Sequence, residues 1–75
     1  MKILRVKTLQ EKIYESLELK YKTEMAEAEV ILDLYYNNPV GIGEHPQIVE
    51  EIDKSIVKLG EAKDKLQTLQ ETYKK

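Results

Sequence analysis

The stretch Tyr35–Pro46, YYNNPVGIGEHP, decides the fold because it interrupts an otherwise helical pattern in a chain of 75 residues. It contains both prolines, two of the three glycines and the sole histidine. Asparagine tolerates the left-handed conformation that ends helices, and proline cannot continue one. A proline also suits the first turn of a following helix. We therefore predict a corner over residues 37–45, with the next helix starting at about residue 46. The residues that we assign to the corner and its border are Pro39, Val40, Gly41, Ile42, Gly43, His45 and Pro46.

Before this corner, apolar residues recur from Val6 to Tyr35 in eight steps, with a mean of 3.6 residues per step. This is the period of a straight amphipathic helix. No helix breaker lies between Met1 and Tyr36, so we predict a helix over about residues 3–36. Its predicted interface residues are Leu9, Ile13, Leu17, Tyr21, Met25, Ala28, Leu32 and Tyr35.

After the corner, a seven-residue repeat predicts a second helix over about residues 46–73. One heptad position contains Ile52, Leu59, Leu66 and Tyr73, and we assign Val49, Ile56, Lys63 and Gln70 to its companion position. Ile48, Ala62 and Leu69 are placed on the flank of this stripe. Gly60 is either a close-approach point for a partner or simply tolerated. The predicted interface residues are Ile52, Ile56, Leu59, Leu66 and Leu69.

The predicted fold is all-α: one domain over residues 1–75, folded as a two-helix antiparallel hairpin. So small a chain has little core, and it has no cysteine for disulfides or for a zinc site of the usual kind. Each helix has a stripe too broad for one neighbour to cover. We therefore expect a homodimer or higher oligomer, a four-helix bundle in the case of a dimer.

Charge is divided into three blocks along the chain. Residues 1–23 carry six Lys or Arg and three Glu, residues 24–53 carry eight acids and no Lys or Arg, and residues 54–75 carry six Lys and three acids. In a hairpin this gives an acidic tip at the corner and a basic open end. Two hairpins packed head-to-tail would set acidic tips against basic ends.

The residue pattern gives little support for catalysis, metal binding or phosphate binding. We predict that the chain is not an enzyme and has no cofactor or metal. Ser16 and Ser55 lie in predicted helices away from His45, the one imidazole. The di-iron Glu-x-x-His element is absent because Ile42 stands three residues before His45. A phosphate cradle in GIGEHP would sit in strongly acidic surroundings, so a turn is favoured there.

Two partner classes remain open: another protein, which is favoured, and nucleic acid at the basic open end. Only one of the twelve basic residues is arginine, acids interrupt the basic patch, and no recognition motif is present. No apolar run predicts a membrane span or a secretion signal, so the expected compartment is the cytoplasm.

The segment Asn37–Gln70, which contains NPVGIGEHP and the acidic helix after it, resembles short helical proteins of unassigned role from T4-like bacteriophages that infect marine cyanobacteria. That resemblance implies a phage product in the host cytoplasm and supplies no catalytic residue. A second likeness is to the helical-hairpin phosphatases that act on sporulation response regulators. Their Ser-Gln-Glu-Leu-Asp motif is echoed in VEEID, where Val49 and Glu50 replace the serine and the glutamine.

We therefore expect a small non-enzymatic, self-associating protein-interaction or structural module. A nucleic-acid-associated hairpin is the alternative, and a phosphatase-like hairpin is the third possibility.

Overall fold

The computed structural model describes residues 6–37 and 47–73, which form two helices, α1 (Leu9–Asn37) and α2 (Ile48–Tyr73). The helices pack along each other. Glu27 of α1 pairs with Lys58 of α2, while Tyr21, nearer the start of α1, lies beside Lys65, nearer the end of α2. Positions thus run in opposite directions along the two helices. The all-α antiparallel hairpin predicted from the sequence is confirmed.

The first helix starts at Leu9, later than the predicted start at about residue 3, because a capping box lies at residues 8–11. The backbone N–H of Glu11 donates to Oγ1 of Thr8 at 3.1 Å, and the N–H of Thr8 donates to Oε1 of Glu11 at 3.0 Å. Both bonds satisfy donors that the first turn of a helix leaves without intrahelical partners. The pattern Thr-x-x-Glu was present in the sequence and would have given this boundary.

The second helix begins at Ile48, within two residues of its predicted start, and ends at Tyr73 as predicted. Glu50 and Glu51 lie in its first turn, where negative charge interacts favourably with the helix dipole. The predicted corner residues Pro39, Val40, Gly41, Ile42, Gly43, His45 and Pro46 lie outside the described residues.

The inward face of α2 requires one correction to its heptad assignment. Ile52, Leu59 and Leu66 are half-buried, but Val49 and Ile56 of the supposed companion position are 80% and 54% exposed. The companion position is instead formed by Ile48, Ser55, Ala62 and Leu69, which the sequence interpretation placed on the flank or omitted. The physical reason lies in the second half of the helix. There the Ile48 series continues with Ala62 and Leu69, whereas the Val49 series continues with Lys63 and Gln70. Burying those two polar groups without partners is unfavourable.

The inward face of α1 also differs from the prediction. From Tyr14 onward the buried and half-buried seam positions alternate four- and three-residue steps, which gives a repeat of 3.5 and not 3.6. These positions are Tyr14, Glu18, Tyr21, Met25, Ala28, Leu32 and Tyr35.

The predicted apolar stripe therefore leaves the seam in the first half of α1. It takes four successive four-residue steps between Leu9 and Met25, and each such step overshoots a full turn by about 40° because helical residues are about 100° apart. Leu9 and Ile13 are consequently 72% and 51% exposed. In their place, Glu11 and Glu18 occupy seam positions and are half-buried.

The buried core consists of four residues, three of them small, with Leu69 toward the open end of the hairpin. Ala28 and Ala62 are each 1% exposed, and Leu69 and Ser55 are also buried. Small residues at the contact allow two helices to approach closely. Among the described residues no large side chain is fully buried, so this seam is narrow.

Gly60 provides a test of helix propensity on the open side of α2. A Cβ at this position would meet no atom within 4 Å, and the residue is exposed. Gly60→Ala is therefore expected to raise the free energy of unfolding by about 1 kcal/mol. Urea unfolding followed by circular dichroism at low protein concentration measures this. Ala26→Gly, at an exposed position of α1, is the matched control and should lower stability by a similar amount. A loss of stability in the Gly60 variant would contradict an open site.

Thr8→Ala tests the capping box. Loss of the Thr8 hydroxyl leaves the Glu11 N–H without this partner, and we expect a cost of about 1 kcal/mol in unfolding free energy. Thr23→Ala serves as the control, because Thr23 is an exposed residue in the middle of α1 where alanine favours the helix. Equal stability of the Thr8 variant and the native chain would show that the box contributes nothing.

Candidate functional site

The residues predicted to form an interface fall into two groups in the structure. The first group lies in the seam between α1 and α2 or on its border, where its members are buried or half-buried: Leu17, Tyr21, Met25, Ala28, Leu32, Tyr35, Ile52, Leu59, Leu66 and Leu69. The second group, Leu9, Ile13 and Ile56, is exposed on the hairpin. The hairpin thus uses most of the predicted stripe internally and leaves three of its members for other contacts.

Exposed apolar side chains extend well beyond those three. The described residues include twelve large hydrophobics on the surface: Val6, Leu9, Ile13, Leu19, Val30, Ile31, Leu34, Tyr36, Val49, Ile56, Val57 and Tyr73. Their number far exceeds that of the buried apolar residues, which are Ala28, Ala62 and Leu69. Single exposed hydrophobics are ordinary, but neighbouring ones mark interaction surfaces.

One groove lies at the open end of the hairpin. There Leu9 and Ile13 of the predicted stripe have turned out of the seam and leave it uncovered. We call it the end groove; its volume is about 970 Å³. Its lining is Gln10, Glu11, Ile13, Tyr14, Glu15, Leu17, Glu18, Leu69 and Tyr73. Ile13 and Tyr73 expose half or more of their surface beside the buried Leu69. The groove therefore has an apolar floor formed by both helices.

The charged lining of the end groove is acidic, although it lies at the end that the sequence marks as basic. Glu11, Glu15 and Glu18 line it, and no lysine among residues 6–37 and 47–73 does. Lys7 approaches from outside, with its Nζ 2.6 Å from Oε2 of Glu15. The Nζ of Lys22 lies 3.9 Å from Oε2 of Glu18, the acid-first pair at i, i+4 that the sequence contains. Both pairs are partly solvent-exposed, and such pairs contribute little to stability.

Tyr14 carries the unusual polar group of the end groove. Its hydroxyl oxygen is buried and has no hydrogen-bond partner in the described part of the chain. Desolvation, and to a lesser extent the negative charge of Glu18, raises the pKa of this phenol. Buried polar groups are normally paired, so an unpaired hydroxyl beside a groove identifies a position where a further donor or acceptor would fit.

Three lysines of the basic segment 54–75 have partners inside the hairpin, and two of them lie toward its corner end. The Nζ of Lys58 lies 3.1 Å from Oε1 of Glu27, and the Nζ of Lys54 lies 3.5 Å from Oε1 of Glu51. The ammonium group of Lys65 sits 5.9 Å from the centre of the Tyr21 ring, within the range of a cation–π contact. The nucleic-acid alternative places its basic end at Lys2, Arg5, Lys7, Lys12, Lys63, Lys65, Lys74 and Lys75, of which Lys2, Arg5, Lys74 and Lys75 lie outside the described residues.

Within residues 6–37 and 47–73, no group of three or more His, Cys, Asp or Glu side chains could hold a metal ion. His45 and Glu44 lie outside these ranges. Neither helix of the described chain has a segment long and apolar enough to span a membrane.

Sequence reasoning found the apolar residues Ile13, Leu17 and Leu69 of the end groove but missed its other members, above all Tyr14, Glu11 and Glu18. Tyr14, Tyr21, Ala28 and Tyr35 recur every seven residues, and this heptad signal would have placed Tyr14 in the seam. The same register puts Glu11 and Glu18 at inward positions. Because neither glutamate is apolar, a search for an apolar stripe passes over them.

The fold defines the chain as a small all-α helical hairpin with an acid-lined apolar groove at its open end. Comparison with protein-family models, curated proteins and solved structures found no match.

Tyr14→Phe tests whether the hydroxyl is unpaired. Removing a buried polar group that has no partner loses no hydrogen bond, so the variant should be as stable as the native chain or more stable. Tyr14→Ala is the control and should be clearly less stable, since it also removes the ring from the seam. Urea unfolding at neutral pH measures both. A destabilised phenylalanine variant would mean that the hydroxyl has a partner.

The raised pKa of Tyr14 also gives the sign of an alkaline effect. Its neutral form is favoured in the folded state, so this contribution to stability is complete below about pH 10 and is lost as the pH rises toward the folded-state pKa. The native chain should therefore lose more stability than Tyr14→Phe between about pH 9 and 11. Equal losses in urea unfolding at the two pH values would contradict this assignment.

Proposed function

We propose that the chain is a non-enzymatic, self-associating helical module that presents its surface to a partner protein. The observation that supports this proposal is the imbalance between core and surface. Three buried apolar residues, two of them alanines, accompany twelve large exposed hydrophobics in the described ranges. Small domains with so little buried apolar area commonly gain stability by association.

Charge complementarity favours a second copy packed head-to-tail as the partner in self-association. The described acids of the tip are Glu24, Glu27, Glu29, Asp33, Glu50, Glu51 and Asp53. Along an antiparallel dimer, this half of one hairpin lies beside the lysine-rich half of the other. Attraction between the two halves then favours this orientation over the parallel one, in which acids face acids.

A lateral interface is compatible with the position of the exposed residues. Ile56 and Val57 are about half exposed on α2, and Gly60 lies one turn further along with open space around it. Val30, Ile31 and Leu34 form a second exposed group on α1. Packing of such surfaces between two hairpins would give the four-helix bundle expected from the sequence.

The likeness of residues 37–70 to phage proteins supports a role in the cytoplasm of an infected host cell, in contact with a host or phage protein. We include that setting in the proposal. No reaction is part of it, because the residues that the phosphatase motif requires at Val49 and Glu50 are replaced.

Self-association is tested by sedimentation equilibrium on the full chain. We expect a dimer at micromolar concentration that weakens as salt is raised from about 0.05 M to about 0.5 M, because salt screens exposed charges. Ile56→Lys should weaken the dimer at least tenfold by burying a charge at the interface. Thr23→Lys, an exposed polar position on α1, is the control and should leave it unchanged.

A monomer under all of these conditions would refute self-association. Strengthening of the dimer at high salt would leave the association intact and refute the head-to-tail arrangement.

A further inference from the structure

The end groove combines an apolar floor with an acidic rim, and the two features together specify the chemistry of an occupant. Ile13 and Tyr73 offer exposed apolar surface, while Glu15 and Glu18 carry negative charge on the α1 side. An apolar ligand without charge would leave the carboxylates near a desolvated surface. A purely ionic ligand would leave the apolar side chains in water.

We propose that the end groove docks an amphipathic, cationic helix of another protein. Apolar side chains of that helix cover Ile13 and Tyr73, and its lysine or arginine side chains pair with Glu15 and Glu18. This is the helix-in-groove mode of recognition, in which one face of a helix provides apolar anchors. A donor on the bound helix also reaches the buried hydroxyl of Tyr14, which has no partner among the described residues.

The existing ion pairs do not block such a ligand. Lys7 holds Glu15 through a pair in which both side chains are about half exposed. The contact of Lys22 with Glu18 is longer, at 3.9 Å. Exposed pairs are worth at most about 1 kcal/mol, so a cation brought in by an apolar anchor can replace either lysine.

A second copy of the chain is the wrong occupant for this groove. In the head-to-tail dimer, the seven described acids of the neighbouring tip are attracted to the lysines of this half, which lie outside the groove lining. Inside the groove the same acids would face the glutamates of the rim. Like charges juxtaposed at an interface disfavour binding. On α2, Lys54 and Lys58 are paired with acids of their own hairpin, and Lys65 lies against Tyr21. The docking proposal therefore stands independently of self-association.

The test uses a fluorescein-labelled peptide of leucine and lysine, about 14 residues or four helical turns long, with its leucines on one helical face. Fluorescence anisotropy is measured against the full chain at low and moderate salt. We expect saturable binding that weakens with salt. A peptide with every lysine replaced by glutamate should not bind, and a scrambled peptide of the same composition should bind much more weakly.

Variants locate the binding site. Ile13→Lys, and separately the double variant Glu15→Gln and Glu18→Gln, should each weaken binding about tenfold or more. The matched controls lie outside the groove lining and outside the surfaces proposed for self-association: Val49→Lys for the apolar change, and Glu61→Gln with Asp64→Asn for the acids. Circular dichroism verifies that each variant keeps its helix content.

Equal weakening by the control variants would overturn the proposal, because binding would then reflect general attraction to an acidic protein. Equal binding of the acidic peptide would overturn it as well. The double variant Ile3→Ser with Leu4→Ser tests the chain's own amino-terminal segment as the occupant. If the peptide binds this variant and not the native chain, that segment is the occupant and the proposal is overturned. If bound peptide dissociates the dimer, the groove is a contact between copies. Sedimentation without peptide reports separately on self-association.

Discussion

Two packed helices keep one face of each in contact over several turns only if the inward positions repeat every 3.5 residues. This period keeps the contact face turned toward the partner helix. Every other feature of this hairpin depends on how far each helix meets that requirement. The second helix meets it over its whole length, through the Ile48 and Ile52 series. The first helix meets it with apolar residues only from Tyr21 onward. Before that point Leu9 and Ile13 rotate away, and Glu11 and Glu18 take inward positions on either side of Tyr14.

The end groove is the structural consequence of this mismatch. Ile13 turns outward, Tyr73 at the end of α2 is left 70% exposed, and the seam there is bordered by carboxylates. At the middle of the hairpin the opposite condition holds, since Ala28 and Ala62 are almost fully buried. One chain thus contains a closely packed middle and an open end, and both follow from residue spacing along α1.

The distribution of charge in the folded hairpin differs from the three charge blocks along the sequence. The acidic middle of the chain is partly neutralised within the hairpin, where Lys58 reaches Glu27 and Lys54 reaches Glu51. At the other end, the net positive charge of the segments coexists with a local acidic surface, because the glutamates of α1 line the groove and the lysines of the described ranges lie outside it. Local potential at a docking surface depends on which side chains border it, and the net charge of a segment does not report that.

Much of the fold could be predicted from the sequence, and less of the candidate site. Helix content, the hairpin topology and the inward placement of Ile52, Leu59 and Leu66 follow from local period and helix-breaking residues. The later start of α1 was also accessible, through Thr8 and Glu11. The choice between the Val49 and Ile48 series was harder, because either can accompany the Ile52 series at heptad spacing. It depended on what each series would bury further along α2.

The sequence by itself determined the two helices, their antiparallel connection and the division of charge, since each of these is a property of neighbouring residues along one chain. Only the tertiary structure decided which stripe became the seam, because that depends on matching two helices to each other over several turns. The tertiary structure also decided the end groove, because its lining comes from both ends of the described chain. Ile13 and Glu15 of α1 line it together with Leu69 and Tyr73 of α2. Such a site exists only once packing has imposed a period on α1 that its own apolar residues do not follow.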